Sequence, residues 1–257
     1  MSTLTLQVKE NVAEITIQSP PANALSSTIL QDLSKELDKI EKDCSVKAIL
    51  LKGEGKFFSA GADIKEFTSL QGASDYTELS GKGQELFNRI EHFPIPVIAA
   101  IHGAALGGGL ELAMSCHIRY VADDAKLGLP ELNLGIIPGF AGTQRLPRHV
   151  GTAKAYEMIL SGIPITGREA VQIGLANQSF TNEELFVAAE KLAKAIASKS
   201  GPTINHVMNL IPFAHTSQFE TGVSAEAKAF GEVFGNEDAK EGIQAFIEKR
   251  SPEFKDQ

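Results

Sequence analysis

Two stretches of small residues stand where chemistry could draw on backbone N–H groups. One is Phe58-Ser59-Ala60-Gly61-Ala62-Asp63-Ile64-Lys65. The other is Ile101-His102-Gly103-Ala104-Ala105-Leu106-Gly107-Gly108-Gly109-Leu110-Glu111-Leu112-Ala113. Each joins an apolar, strand-like run to a tight turn and then to a helix start. Small residues let a ligand approach the backbone closely, and the first turn of a helix has unpaired N–H groups at the positive end of its dipole. Two such turns side by side would aim two donors at one oxygen that gains negative charge, as enolate or tetrahedral-intermediate chemistry requires. Taken singly, either turn also fits a purely structural role.

Two acids stand out among the 32 acidic residues. Glu111 lies within Leu110-Glu111-Leu112-Ala113-Met114, and Glu131 sits between Pro130 and Leu132. An apolar setting raises a carboxylate pKa, and two neighbouring carboxylates push their pKa values apart. One can then act as base while the other carries a proton. The plainer readings are a helix-dipole partner for Glu111 and a surface loop acid for Glu131.

The elements that would position these residues alternate between strand and helix. Leu4, Leu6 and Val8, then Val12 and Ile15-Thr16-Ile17, form a hairpin around Lys9-Glu10-Asn11. Pro20-Pro21-Ala22-Asn23-Ala24 is a loop. From Ser27, the residues Ile29, Leu30, Leu33, Leu37 and Ile40 recur at helical spacing, and Ala48-Ile49-Leu50-Leu51 is a strand buried on both faces. A helix from about Asp75 to His92, a strand Val97–Ile101, a helix from about Gly108 and a strand Ile118–Ala122 follow. The pattern predicts βαβ units and a mostly parallel sheet, with the site where loops leave the strand C-termini. After Gly139 strands largely stop. Thr166-Gly167-Arg168-Glu169 is a capping box. Leu185, Phe186, Ala189, Leu192, Ala193 and Ile196 form a helical stripe ending near Gly201-Pro202, followed by stripes Phe219, Val223, Phe230, Phe234 and Ile243, Phe246, Ile247.

With Gly128-Leu129-Pro130-Glu131 and Ile137-Pro138-Gly139 in this order and spacing after the glycine-rich turn, the chain resembles the crotonase (enoyl-CoA hydratase/isomerase) family over nearly its whole length, closest to the hydratase branch. The resemblance implies an α/β fold: a ββα spiral core over residues 1–195, and a helical region over 196–257 that covers the site and packs neighbouring subunits into a homotrimer or a hexamer of two trimers. It places an oxyanion hole at the N–H groups of Ala62 and Gly108 and the backbone of Gly139 beside the reacting centre. It gives Glu111 the activation of water and Glu131 the protonation of the α-carbon. Both acids hold the same water, so the residues define the pair and only the resemblance divides the roles. It further implies CoA adenine against the backbone of Ala60, Ala62 and Ile64, with Ala22 and Ala24 near the nucleotide or pantetheine. Lys65 becomes a phosphate contact, Asp63, Leu106, Gly107, Leu129 and Pro130 further substrate contacts, and Phe246 and Lys249 residues reaching a neighbour's CoA.

The activity implied is addition of water to a trans-2-enoyl-CoA to give a 3-hydroxyacyl-CoA, with no metal or redox cofactor, CoA being part of the substrate. Retention of both acids favours this over an enoyl-CoA isomerase or another enolate-forming relative. An acyl-CoA-binding or RNA-associated protein without primary catalysis is the alternative of another class. A serine hydrolase is disfavoured, since no Gly-x-Ser-x-Gly elbow occurs, and Gly107-Gly108-Gly109 lacks dinucleotide-binding spacing. Four positions depart from the common hydratase pattern: Leu129 replaces glutamine, His102 asparagine, His117 aspartate and Ala141 glycine. Both histidines read as structural, Cys116 as a small core residue and Arg145 as a structural partner for an acid. Phe67, Tyr76 and Leu79 are candidates for setting acyl-pocket depth.

Composition agrees with this class. The 257 residues are 43% hydrophobic, enough to bury a core, and the formal charge of −8 disfavours nucleic-acid binding. Two cysteines make no disulfide framework. Val97–Ile101 is too short to span a bilayer, and Met1-Ser2-Thr3-Leu4-Thr5 lacks a basic-then-apolar leader. The expectation is a cytoplasmic bacterial protein, or an organellar one after loss of a transit peptide.

Overall fold

The computed structural model describes residues 3–67, 72–214 and 216–257, without the side chain of Phe67. Strands β1 (Leu4–Lys9) and β2 (Val12–Ile17) form the expected antiparallel hairpin, in register from Leu4 opposite Ile17 to Lys9 opposite Val12. Glu10 and Asn11 turn it with φ of 51° and 62°, the left-handed pair that matches strand twist. Helix α1 (Ser27–Lys42) starts where the Ser26 side chain accepts the Ile29 N–H, and it buries the five predicted apolar positions. Next come β3 (Ala48–Gly53), the single turn α2 (Ile64–Phe67), α3 (Ala73–Glu91) and β4 (Val97–Ile101). The short β5 (Ala104–Leu106) leads into α4 (Gly108–Ser115), followed by β6 (Ile118–Ala122) and β7 (Lys126–Gly128). Helices α5 (Gly142–Val150) and α6 (Thr152–Ser161), strand β8 (Ile165–Thr166), α7 (Gly167–Gln172) and β9 (Gln178–Phe180) precede the four terminal helices: α8 (Asn182–Ala197), α9 (Gly201–Leu210), α10 (Phe219–Phe234) and α11 (Glu237–Glu248).

The main sheet has the order β1-β2-β3-β4-β6-β9, and every pairing after the hairpin is parallel. Alternation along each strand explains the all-apolar runs. Ile49 and Leu51 of β3, with Val97, Ala99 and Ile101 of β4, face the larger core that includes α1, α3 and α4. Ala48, Leu50, Ile98 and Ala100 face Ala189, Ala193 and Ala197 of α8 on the opposite side. The sheet is therefore covered on both faces. A smaller sheet, β5-β7-β8, lies beside it.

As expected, strands largely stop after Gly139: among the described residues only the short β8, which joins the small sheet, and β9, which completes the edge of the large one, follow. At two and three residues they are too short to show a period, as are β5 and β7, which the sequence did not reveal. Glu131 begins a 3-10 turn, Glu131–Leu134, and is buried, which sets aside the plainer reading of a surface loop acid. Helix α8 ends at Ala197, near Gly201-Pro202 as expected, and Gly201-Pro202 opens α9, where proline is tolerated because the first-turn N–H groups need no intrahelical acceptor. The position 195/196 lies in the last turn of α8.

The Thr166–Glu169 capping box is formed. The chain end is tied back to the sheet layer: Asp238 accepts the N–H groups of Lys255 and Asp256, and Asp256 pairs with Lys47 at 2.7 Å. Helices α9 to α11 leave Phe219, Phe230, Phe234, Phe246 and Ile247 exposed. Among the described residues no helix is long and apolar enough to cross a membrane.

Candidate active site

The two small-residue turns meet because the first one runs as an extra strand along β5. Ser59 N–H donates to the Ala104 carbonyl and Leu106 N–H to the Ser59 carbonyl, both at 3.1 Å. Ala60 N–H donates to the Ala22 carbonyl at 2.9 Å, which ties the segment to the loop before α1. Leu25 bridges Ala62 through the Gly61 carbonyl and the Asp63 N–H, so this ladder leaves the Ala62 N–H unused. Gly107 precedes α4 with φ 49° and ψ −126°, a conformation open in practice only to glycine. The N–H of Gly108, in the first turn, has no intrahelical acceptor. A β-carbon built on Gly108 would lie 3.3 Å from the Ala62 nitrogen. The two turns are therefore in contact at the point where the sequence called for paired donors.

Glu111 projects from the first turn of α4 and is almost wholly buried. Its Oε1 accepts the N–H of Phe140 at 2.8 Å and of Gly142 at 2.7 Å. A β-carbon at Gly142 would stand 2.8 Å from that oxygen, so glycine is what allows this approach. The carboxyl is pushed up to about 7, chiefly by burial and in part by the Glu131 charge, against the pull of the two N–H donors and Arg145. Glu131 lies near the start of α4, its Oε1 3.0 Å from where a Gly107 β-carbon would be. Its Oε2 is buried with no partner among the described residues, and burial raises its pKa as well. The positive end of α4 favours both anions, but desolvation outweighs it.

Both acids open into one cavity of about 490 Å³. Ala60, Ala62, Ile64, Gly107, Gly108, Pro130 and Gly139 line it, as the sequence expected, and so do Tyr76 and Leu79. The Gly139 carbonyl turns away to α3, accepting from Ser80 Oγ and from Gln84 Nε2 at 2.9 Å. Ala22, Ala24, Asp63, Lys65, Leu106 and Leu129 do not line the cavity. Ala22 acts through the Ala60 hydrogen bond. Asp63 accepts the Lys65 N–H at 3.0 Å on the exposed α2 turn. Leu129 is fully buried, its Cδ1 3.1 Å from a Gly142 β-carbon, so it forms the apolar backing of Glu111. Phe246 and Lys249 are exposed on and just after α11, away from this chain's cavity. Phe67's side chain lies outside the described residues. A wider groove of about 640 Å³ between α1 and α3 has charged walls and contains neither buried acid.

The histidines are structural in geometry. His117 Nδ1 accepts the Val97 N–H at 3.0 Å and its Nε2 faces the Glu91 carbonyl; His102 Nε2 faces the Gly55 carbonyl at 3.0 Å. Burial lowers both pKa values, that of His117 to about 4. Arg145 meets its expected acid, with Nε 2.9 Å from Glu91 Oε2. Ala141, where glycine is usual, has φ 70° and is held in the left-handed region. Sequence reasoning missed Phe140, Ser80 and Gln84. Ser80, Gln84, Asn88 and Glu91 recur at spacings of three and four, a polar stripe that could have marked one face of α3 as facing polar backbone.

Comparison with known proteins agrees with this architecture. The sequence profile described as enoyl-CoA hydratase/isomerase matches residues 7–257. A probable enoyl-CoA hydratase of Bacillus subtilis strain 168 is 59% identical over 256 residues, covering 99% of each chain. A short-chain-enoyl-CoA hydratase of Clostridium acetobutylicum is 40% identical, covering 98% of this chain and 97% of the relative. Among solved structures, an enoyl-CoA hydratase from Bacillus anthracis superposes with a TM-score of 0.94 at 34% identity, over 99% of this chain and all of that one (100%). Two adjoining backbone donors and two buried acids in one cavity, on a fold matched from end to end, place the chain in the enoyl-CoA hydratase/isomerase family.

Proposed function

We propose that the protein hydrates trans-2-enoyl-CoA thioesters to 3-hydroxyacyl-CoA, a step of acyl-CoA degradation such as fatty-acid β-oxidation. The observation that carries this reading is the convergence of Glu111, Glu131 and the Ala62 and Gly108 turns on one cavity. Water held by the two carboxyl groups gives a proton to Glu111 as its oxygen bonds to the β-carbon. The double-bond electrons move toward the thioester oxygen, which faces the N–H groups of Ala62 and Gly108. Glu131 delivers a proton to the α-carbon from the same side, so the addition is syn. Raised carboxyl pKa values suit both roles near neutral pH. Ile64, Tyr76, Leu79, Ile136 and Ile137 provide apolar wall for the acyl and pantetheine portions, and Lys65, exposed beside Ile64, suits a CoA phosphate. Phe246 and Lys249 reach a neighbour's CoA in a trimer or a pair of trimers, for which residues 196–257 supply exposed apolar side chains.

The test is loss of the conjugated enoyl-thioester absorbance with crotonyl-CoA. Glu111→Gln and Glu131→Gln are each expected to lower kcat by about 10²–10⁴. Wild-type rates in both variants would reject the two-acid mechanism. A folded, CoA-binding protein that leaves longer enoyl-CoAs intact but shifts the double bond of a 3-enoyl-CoA would be an isomerase instead.

A further inference from the structure

The loop between Pro138 and α5 is held from outside with unusual completeness. Its Gly139–Phe140 peptide donates its N–H to Glu111, and the same peptide's carbonyl is taken by Ser80 and Gln84. The Ala141–Gly142 peptide donates its N–H to Glu111, and its carbonyl accepts the backbone N–H groups of Gln144 at 3.0 Å and Arg145 at 2.9 Å. The peptide between them has its carbonyl, that of Phe140, bound to Arg145 Nη1 at 2.9 Å. The remaining guanidinium nitrogens of this buried arginine reach α3: Nε to Glu91 Oε2 at 2.9 Å and Nη2 to Asn88 Oδ1 at 2.6 Å. Glu91 is itself braced by Arg148 Nη1 at 2.7 Å.

We propose that Arg145 is a positioning residue for Glu111: its planar fork fixes the Phe140 carbonyl to the last turns of α3, and so holds the two N–H donors aimed at the carboxylate. The role rests on the reading of Glu111 as the base. Three acceptors in three directions need a rigid, five-donor group, which a lysine ammonium cannot reproduce. With the fork removed, the 139–142 loop can turn its N–H groups off Oε1. The carboxylate then loses donors that favour its charged form, and in a methionine variant the Arg145 charge as well, while it keeps the burial and the Glu131 charge that oppose it; a lysine variant keeps the charge and so reads the loss of the donors alone.

The experiment compares wild type, Arg145→Lys and Arg145→Met. The titration midpoint of Glu111 is followed by carbon-13 NMR of the side-chain carboxyl, beside the pH dependence of kcat/KM for crotonyl-CoA. The expected result is an upward move of the Glu111 midpoint by about one pH unit in the methionine variant. The acid limb of kcat/KM should move with it, kcat should fall and KM change little. The lysine variant keeps the charge and loses the fork, so it should move in the same direction by less. It also carries the test should the methionine variant not fold. A midpoint and limb unmoved in the folded lysine variant, whether or not the methionine variant moves, would overturn the role and leave Arg145 a packing residue or a distant charge. Should wild type hydrate neither crotonyl-CoA nor longer enoyl-CoAs, the hydratase reading falls, while the NMR midpoints still decide for or against Arg145.

Discussion

Glu111 and Glu131 are held in opposite ways, and this fixes what each can do. Glu111 has one oxygen pinned by two N–H groups, whereas Glu131 has an oxygen buried without a partner among the described residues. With Glu111 pushed up to about 7, a base at this position is increasingly lost as pH falls through that value, so the acid limb of kcat/KM should lie near neutrality. The same shift bears on stability. A carboxyl whose folded pKa exceeds its unfolded one stabilises the fold most below the unfolded value, and that contribution is lost as pH rises through the folded value. Glu111→Gln should therefore be more stable than wild type at pH 8 by about 1–3 kcal/mol, the gap closing toward pH 5. Urea unfolding at fixed protein concentration measures this, and equal stability at both pH values would mean that the carboxylate is not under strain. The acids were legible from their apolar flanks. Their partners were not, because Phe140 and Gly142 lie 29 and 31 residues beyond Glu111, and nothing local marks an N–H as a ligand. Leu129, a substrate contact by the family resemblance, is fully buried beside Gly142 and Glu111, a placement that no local pattern announces.

Helix α3 is the element that keeps the acid-binding loop in place. Ser80 and Gln84 hold the Gly139 carbonyl, Asn88 and Glu91 hold Arg145, and Phe87 packs edge-on against Phe140 at 5.4 Å between ring centres. Gly83 faces the same ring so closely that a β-carbon there would lie 2.3 Å from two of its atoms. In an ordinary helix, Gly→Ala stabilises by about 1 kcal/mol. At Gly81, where nothing lies within 4 Å, that gain should be seen. At Gly83 it should reverse to a loss of about 1–3 kcal/mol, with kcat down by about 10- to 100-fold as Phe140 and its N–H are displaced. Thermal melts and crotonyl-CoA assays of the two variants make the comparison; identical behaviour would deny α3 this role. The amphipathic helices and the long strands were readable from their periods, since burial on one face imposes the spacing. The strands β5 and β7, which bring the two donor turns together, were not. At three residues each, they exist through pairing with distant chain and have no pattern of their own.

Across the whole molecule, the exposed phenylalanines among the described residues all lie on α10 and α11. Phe246 is 84% exposed and Phe230 69%, alongside Phe219, Phe234 and Ile247. Exposed aromatic side chains concentrated on two helices suit an association surface. In sedimentation velocity the protein should run as three or six chains, and Phe230→Glu combined with Phe246→Glu should shift it toward one; a wild-type monomer at micromolar concentration would refute the trimeric proposal. By contrast, the cavity wall comes entirely from residues between Ala60 and Phe140, and the groups that steady it end at Arg145 and Arg148. This separation has an evolutionary consequence. A lineage can exchange its C-terminal helices, drift in the face it offers to neighbours or change its subunit number, while inheriting the placement of both acids as one uninterrupted block of sequence.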